Sequence, residues 1–175
     1  IGPFLKDANL FPYFSGTGNV SLQLAANGFD ANKIKQTLNG KIELAFKDGT
    51  ISDVDFLKKI DQARALYEKN RGKETTVKGE KGEKTVFSTL SASVQLENGV
   101  ARNNDFSLVS SALRANGKGN ADLVKEVIDY RVDAMRAQDQ GKKCANVPVR
   151  ISGPFNDISY TIDIGEILKC QGQQK

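Results

Sequence analysis

The chain has 175 residues and a formal net charge of +4 at pH 7, with 39% hydrophobic and 26% charged residues. This composition fits one globular domain or one piece of a longer protein, and no apolar run approaches the ~18 residues of a membrane-spanning helix. The chain contains no histidine, which excludes a Ser-His-Asp or Cys-His catalytic site within it. Because it opens without a methionine or a signal peptide, we expect it to be a fragment of a larger protein.

The first predicted elements are two strands connected through a short helix. Every second residue is apolar over residues 20–26 and again over 42–46, which is the pattern of strands with one apolar and one polar face. Between them, Asp30 can cap a short helix over residues 31–38. Asp48-Gly49 then predicts a tight turn at the end of the second strand.

An amphipathic helix and a charged loop follow. Ser52 or Asp53 can cap the helix. Its apolar stripe consists of Val54, Leu57, Ile60, Ala63 and Tyr67. Its polar side is predicted to face water and includes Lys58, Lys59 and Glu68. Residues 68–84 are rich in Lys, Glu and Gly, which predicts a mobile solvated loop, with contact to anionic lipid headgroups as the alternative.

Two hairpins are predicted in the second half of the chain. The residues from Val86 to Leu96 alternate, with the even-numbered side chains on the apolar side, and Asn98-Gly99 predicts the turn into the next strand. A second hairpin combines residues 147–151 and 158–164 through a longer connection that begins at Gly153-Pro154.

Two further strands are predicted between these hairpins. Residues 112–123 are typical of a strand of small side chains. Residues 127–135 fit helical and strand spacing almost equally, and we predict a strand. One or two helical turns near residues 166–170 are also compatible with the sequence. The sequence therefore predicts a mainly β (β-rich α+β) single domain over residues 1–175: a curved, mostly antiparallel sheet of about seven to eight strands, with one long and one short helix packed on it.

No motif indicates catalysis or a bound cofactor. Gly16-Thr17-Gly18 precedes a strand instead of opening a helix, which argues against a phosphate-binding loop. Asp48, Asp53 and Asp55 lack the twelve-residue calcium loop with its closing Glu. We therefore predict no enzyme activity, no metal site and no cofactor.

The apolar face of the predicted sheet is larger than its helices can cover. Each helix is about 10 Å wide and strands lie ~4.8 Å apart, so two helices shield only about four strands. The remainder can curl on itself, meet another domain or hold an apolar ligand. Each residue in question can equally be ordinary core. The candidates for a lipid groove are Leu22, Leu24, Leu44, Phe46, Leu90, Val94, Val149 and Ile162.

A second possible function uses the edges of the sheet. An open sheet leaves unpaired backbone amides that can add a strand from a partner or from another part of the parent chain.

The sequence also leaves the state of its two cysteines open, because Cys144 and Cys170 can pair in an oxidising compartment or remain thiols in a reducing one.

Three long segments resemble the C-terminal region of AsmA-family proteins. They are "GTGNVSLQLAANGFDANKIKQTLNGKIELAFKDGTISDVDFLKKI", "TVFSTLSASVQLENGVARNNDFSLVSSALRANGKGNADLVKEVIDYRVD" and "VPVRISGPFNDISYTID". The resemblance runs from about residue 10 to residue 165 and rests on the order of many strand and turn segments. The charged loop and the two cysteines are not part of the family pattern.

This resemblance implies an envelope protein of a Gram-negative bacterium. Such proteins are anchored in the inner membrane by an N-terminal helix absent here, lie in the periplasm, and are linked to outer-membrane assembly and phospholipid homeostasis or transport. The implied partners are phospholipid or acyl chains, the rest of the parent chain and other envelope proteins. Outside the charged loop the sequence has no basic stripe interleaved with aromatic residues, so we predict no nucleic-acid partner. The implied periplasmic location favours a disulfide between Cys144 and Cys170.

Overall fold

In a computed structural model, the described part of the chain contains one open antiparallel sheet of nine strands and the two α-helices given below. The structure describes residues 14–70, 75–78, 82–163, 165–166 and 170. The strands are β1 (Phe14–Ala25), β2 (Asn39–Ser52), β3 (Thr75–Lys78), β4 (Lys84–Glu97), β5 (Val100–Val109), β6 (Leu113–Asp122), β7 (Val127–Arg136), β8 (Val147–Pro154) and β9 (Ser159–Ile162). The helices are α1 (Ala31–Gln36), α2 (Phe56–Asn70) and a 3-10 turn at Ala137–Asp139.

The strands lie in the order β1-β2-β4-β5-β6-β7-β8-β9-β3, and each neighbouring pair is antiparallel. This up-and-down order gives the sheet two distinct ends. The α1 end contains α1 and the turns that join β4 to β5, β6 to β7 and β8 to β9. The α2 end contains α2, the β5–β6 turn and the connection from β7 to β8. The predicted fold class is confirmed, with one strand more than expected.

The inner face of the sheet, defined here as the side that α2 covers, has a continuous apolar core near the α2 end. α2 packs against β7 and β8 and buries Phe56, Ile60 and Ala63. One row of paired residues crosses six strands through this core: Phe46, Leu90, Leu108, Ala115, Ala134 and Val147. Because α2 is too narrow to cover six strands, the near-complete burial of Leu90 and Leu108 indicates that the sheet bends around the helix.

The helix α2 corrects two of the sequence predictions. Asp55, instead of Ser52 or Asp53, caps the helix, because its Oδ1 accepts a hydrogen bond from the Lys58 backbone N–H at 3.1 Å. Lys59 was predicted to face water but is only 1% exposed. Its position three residues after Phe56 places it on the buried stripe. The side chains of Tyr67 and Glu68 lie outside the described part of the chain.

A left-handed residue in β2 changes the alternation that the sequence suggests. Asp48, with φ 52°, sits in a bulge within β2 opposite Gly16 of β1 instead of in a tight turn, so that prediction is wrong. Beyond this bulge the burial alternation shifts by one residue. Phe87, paired with Gly49, is therefore buried, whereas Val86 is 60% exposed although it was predicted on the apolar side.

Most other local predictions are confirmed. The Asp30 carboxylate caps α1 by accepting from the Lys33 N–H at 2.8 Å. Asn98 and Gly99 both have positive φ and form the β4–β5 turn. The ambiguous segment 127–135 is strand β7. In the predicted 68–84 loop, however, Thr75–Lys78 forms the edge strand β3, which pairs with β9, while residues 71–74 and 79–81 lie outside the described part.

Candidate functional site: an apolar strip on the inner face

The inner face continues past α2 as an apolar strip toward the α1 end. The pairing registers place two rows of inner-face residues next to each other there. The rows are Leu22, Ile42 and Val94, and then Leu24, Gly40 and Leu96. With Leu44 and Phe46 of β2 these rows define the apolar strip. Within the described residues, α2 makes its main sheet contacts with β7 and β8, so the strip extends beyond the part of the sheet that the helix covers.

The structure divides the eight lipid-groove candidates into two groups. Leu90, Val149 and Ile162 are at most 2% exposed and belong to the core near α2, so they present no surface to a ligand. Val149 lies on β8, which α2 contacts, and Leu90 is buried where the sheet bends around the helix; the sequence pattern could show neither feature. The other five, Leu22, Leu24, Leu44, Phe46 and Val94, lie on β1, β2 and β4 and keep part of their surface.

Aromatic residues and a polar network mark the boundary between core and strip. The Phe106 and Tyr130 rings pack edge to face with centroids 6.4 Å apart. Tyr130 lies over the glycines of β6, since a Cβ at Gly117 would come within 2.6 Å of the Tyr130 ring. The Tyr130 hydroxyl donates to Asn103 Oδ1, and the Asn103 amide donates to Asp105 Oδ1 at 2.8 Å.

This network has defined protonation states. Burial, and then the nearby charge of Asp105, raise the pKa of Tyr130 above its ordinary value, so the hydroxyl stays protonated. Hydrogen bonds from the Ser93 hydroxyl and backbone N–H hold the pKa of the Asp105 carboxyl below its usual range. A carboxylate that accepts fixed donors in a bulge of β4 and β5 stabilises that bulge, so we assign the network a structural role.

The outer face is polar and carries paired charges. Lys118, Arg131 and Arg150 are direct cross-strand neighbours on β6, β7 and β8, an arrangement that like charges disfavour. Arg131 Nη2 binds Glu166 at 2.6 Å, and Arg150 Nε binds Asp129 at 3.0 Å. A shallow depression of about 820 Å³ lies here, lined by polar side chains and Gly119. The charged and polar side chains that line this depression suit an acyl chain less well than the apolar strip does.

The strand β1, at one end of the described strand order, has no charged residue. In the part of the chain that the structure describes, β1 pairs only with β2. Its twelve residues, FSGTGNVSLQLA, include no Lys, Arg, Asp, Glu or Pro, and most are exposed. Edge strands usually carry such residues to prevent pairing with other chains. The opposite edge, β3, has only four residues and ends at Lys78.

The two cysteines form a disulfide. Cys144, after β7, and Cys170 are joined with their Cα atoms 5.8 Å apart, which ties residue 170 to the β7–β8 connection. The pairing that the resemblance favoured is confirmed.

The alternation pattern missed one group of exposed apolar residues. Phe29, Ile34, Val124 and Val127 project at the α1 end but lie in turns, in the short helix or at a strand terminus. A phenylalanine inside the otherwise polar "ANGFDAN" segment was the one available signal.

The comparison with protein families decides the relationship. The model of the AsmA family matches residues 1–106, which is 106 of the 175 residues. The chain belongs to the AsmA family. No curated protein and no solved structure matches it significantly. Membership of the AsmA family indicates a role in envelope assembly or lipid homeostasis.

The family match extends from residue 1 into β5, so it includes the five strip residues on β1, β2 and β4. The disulfide of this AsmA-family chain lies beyond the matched range. None of the described helices is long and apolar enough to cross a membrane. Among the described residues, no group of Cys, Asp and Glu side chains has the arrangement of a metal site.

Proposed function

We propose that this AsmA-family chain is the periplasmic, non-catalytic part of an inner-membrane-anchored protein that carries or positions phospholipid. In this function acyl chains bind along the apolar strip, and the buried core near α2 closes one end of the strip. The observation that carries the proposal is the apolar strip on the inner face, in which Ile42 and Leu96 are buried while the five remaining groove candidates keep part of their surface exposed. The disulfide supports an oxidising compartment such as the periplasm.

Adjacent residues of β1 provide a matched test of the strip. Leu22 pairs with Ile42 on the inner face, while Gln23 points to the outer face of the same strand. Both side chains are exposed, so a photo-reactive phenylalanine analogue at either position leaves the core intact. Irradiation in bacterial cells followed by mass spectrometry is expected to give phospholipid adducts at position 22 and none at position 23.

The same protein, purified without irradiation, supplies a second measurement. Native mass spectra are expected to contain bound phospholipid, and a fluorescent fatty acid is expected to bind and be displaced by it. Equal labelling at positions 22 and 23, or a lipid-free protein that does not bind the fatty acid, would contradict the proposal.

A second candidate function uses the uncharged edge of β1 for strand addition. A twelve-residue edge without charge or proline is a template for pairing with a further strand of the parent protein or of another envelope protein. Hydrogen exchange distinguishes this function from lipid binding. The outward amides of β1 are expected to exchange rapidly in this chain and slowly in the complete parent protein, while β6 amides stay protected in both. Rapid β1 exchange in the complete protein would exclude this use of the edge.

A further inference from the structure

Asparagine followed by glycine is the sequence in which an asparagine side chain loses its amide nitrogen most readily. In this reaction the backbone nitrogen of the next residue attacks the side-chain amide carbon, and glycine, which has no side chain, hinders the attack least. The attack also requires that the two groups can move together, so the fold decides which pairs react. The sequence contains four such pairs: Asn27-Gly28, Asn39-Gly40, Asn98-Gly99 and Asn116-Gly117.

Three of these pairs have an attacking nitrogen that the fold restrains. Gly40 lies in β2 between paired residues of β1 and β4, and Gly117 lies in β6 between β5 and β7. The Gly99 N–H, in the β4–β5 turn, donates to the Leu38 carbonyl at 2.9 Å. Movement of any of these nitrogens would disrupt the sheet or this turn, so we expect the three pairs to react slowly in the folded protein.

The pair Asn27-Gly28 lies in the loop between β1 and α1 and lacks these restraints. Both residues are exposed. Among the described residues, neither the Asn27 side chain nor the Gly28 N–H makes a hydrogen bond. The Asn27 backbone is bound to one hydroxyl group: its N–H donates to Thr37 Oγ1 at 2.9 Å, and its carbonyl accepts from the same hydroxyl at 2.5 Å. The attacking and the attacked group of this pair are therefore both unbound.

The helix α1, which follows this pair, can open locally. It has six residues, none of them buried, whereas isolated helices shorter than about 12 residues are marginal in water. Its exposed ion pair between Lys35 and Glu126 adds little stability. Gly28 packs closely on the helix, since a Cβ at Gly28 would lie 2.8 Å from Lys33 Cβ. Opening of α1 therefore gives the Gly28 nitrogen the movement that the attack needs, while the sheet stays folded.

We propose that Asn27 is the deamidation site of the folded protein. The Gly28 nitrogen loses its proton and forms a bond to Asn27 Cγ, and the side-chain nitrogen leaves as ammonia, which gives a cyclic imide. Water then opens the imide at one of its two carbonyl groups, so that position 27 becomes aspartate or isoaspartate. Both products carry a new carboxylate, and in isoaspartate the backbone is also one methylene longer.

The longer backbone of isoaspartate is expected to loosen α1. Because Gly28 has no space toward Lys33, an added methylene displaces the segment that contains Asp30, whose carboxylate caps the helix. Hydrogen exchange of the α1 amides is therefore expected to be faster in the isoaspartate form, while the amides of β6 keep their protection. This modification is independent of the proposed function.

Peptide mapping by mass spectrometry tests the proposal on the whole chain. The protein is incubated in mildly alkaline buffer, once folded and once unfolded in urea, and the conversion of amide to carboxyl is measured at each pair. An isoaspartyl methyltransferase detects the isoaspartate. In the folded protein, conversion is expected to be several-fold faster at Asn27 than at the other three pairs, and in urea the four rates are expected to be similar. Asn27→Gln, whose longer side chain forms the ring poorly, is expected to remove most of the folded-state conversion, and Asn116→Gln is expected to leave it unchanged.

Two results would overturn the proposal. If folding slows the conversion of Asn27 as much as that of Asn39, Asn98 and Asn116, the loop before α1 is as restrained as the sheet. If Asn27→Gln leaves the folded-state conversion unchanged, another residue is the site. Because these measurements involve no lipid, they are decided independently of the lipid adducts expected at position 22.

Discussion

The buried Lys59 provides the sharpest test of how α2 is attached to the sheet. Its Nζ lies 3.7 Å from Glu83 Oε2 and 5.6 Å from the centroid of the Tyr160 ring, and the residue is 1% exposed. Glu83 also binds Lys58 at 2.5 Å. The Glu83 carboxylate thus has two cationic partners, whereas the Lys59 ammonium has one carboxylate partner among the described residues. Removing the charge of Glu83 is therefore expected to change the stability more than removing the charge of Lys59.

The magnitudes follow from this inequality. At 3.7 Å and an effective dielectric constant near 20, the Lys59–Glu83 attraction is about 4 kcal/mol, which is similar to the desolvation of the ammonium group. We therefore expect Glu83→Gln, which leaves Lys59 charged and buried, to lower the free energy of unfolding by about 3–5 kcal/mol. Lys59→Met removes the charge and its desolvation together, so we expect a change within about 1 kcal/mol.

Urea unfolding followed by circular dichroism measures both effects, since the chain has no tryptophan. Combining Lys59→Met with Glu83→Gln is expected to recover most of the stability that Glu83→Gln alone removes. Lys58→Met serves as the control, because a half-exposed ion pair contributes only about 0–1 kcal/mol. If Lys59→Met is as destabilising as Glu83→Gln, or if the double variant recovers no stability, then the cost of Glu83→Gln does not come from leaving the Lys59 ammonium buried without its carboxylate partner, and the reasoning is refuted.

Two more predictions concern the α2 end. Replacing Cys144 and Cys170 by serine is expected to lower the free energy of unfolding by about 3.5 kcal/mol on the chain-entropy model for a separation of 26 residues, and an unchanged urea midpoint would contradict this. Hydrogen bonds from Lys142 and then Arg64 hold the pKa of the Asp139 carboxyl below 3.8. Because the pKa of Asp139 is lower in the folded than in the unfolded state, its charged form stabilises the fold above about pH 4, and this stabilisation disappears as the pH falls further. Asp139→Asn is therefore expected to reduce the loss of stability, measured by urea unfolding, over that acid range.

The alternation of apolar and polar residues predicted most strands well because each strand has one face toward solvent and one face toward the core. It predicted the second half of β1 and the hairpin at Asn98-Gly99, since alternation and turn residues act over a few neighbours. For residues 127–135 the spacing alone fitted a helix almost as well as the strand that the structure shows. It failed for Thr75–Lys78, because a four-residue edge strand in a polar segment has no periodic signal. It also took Asp48-Gly49 for a turn, since turns and bulges use the same positive φ.

The candidate site was half predictable for a related reason. Alternation identifies the face on which Leu22, Leu90 and Val149 lie, because it depends on the strand alone. It carries no information on how far the sheet bends or where a helix settles, and these long-range features decide that Leu90 and Val149 are core while Leu22 keeps an open side. Lys59 was predicted to face water, and this was wrong because the residue lies on the side of α2 that packs on the sheet, where Glu83 supplies the counter-charge.

The family match covers the apolar strip and part of the core. The part that matches the AsmA family ends in β5 and contains all five half-exposed strip residues, together with the exposed Phe29 and Ile34. The strands that α2 contacts, β7 and β8, lie beyond the match, as do both cysteines. The helix α2 itself lies within the match, so the matched segment contains this helix as well as the strip, and the strands that the helix contacts come later in the chain.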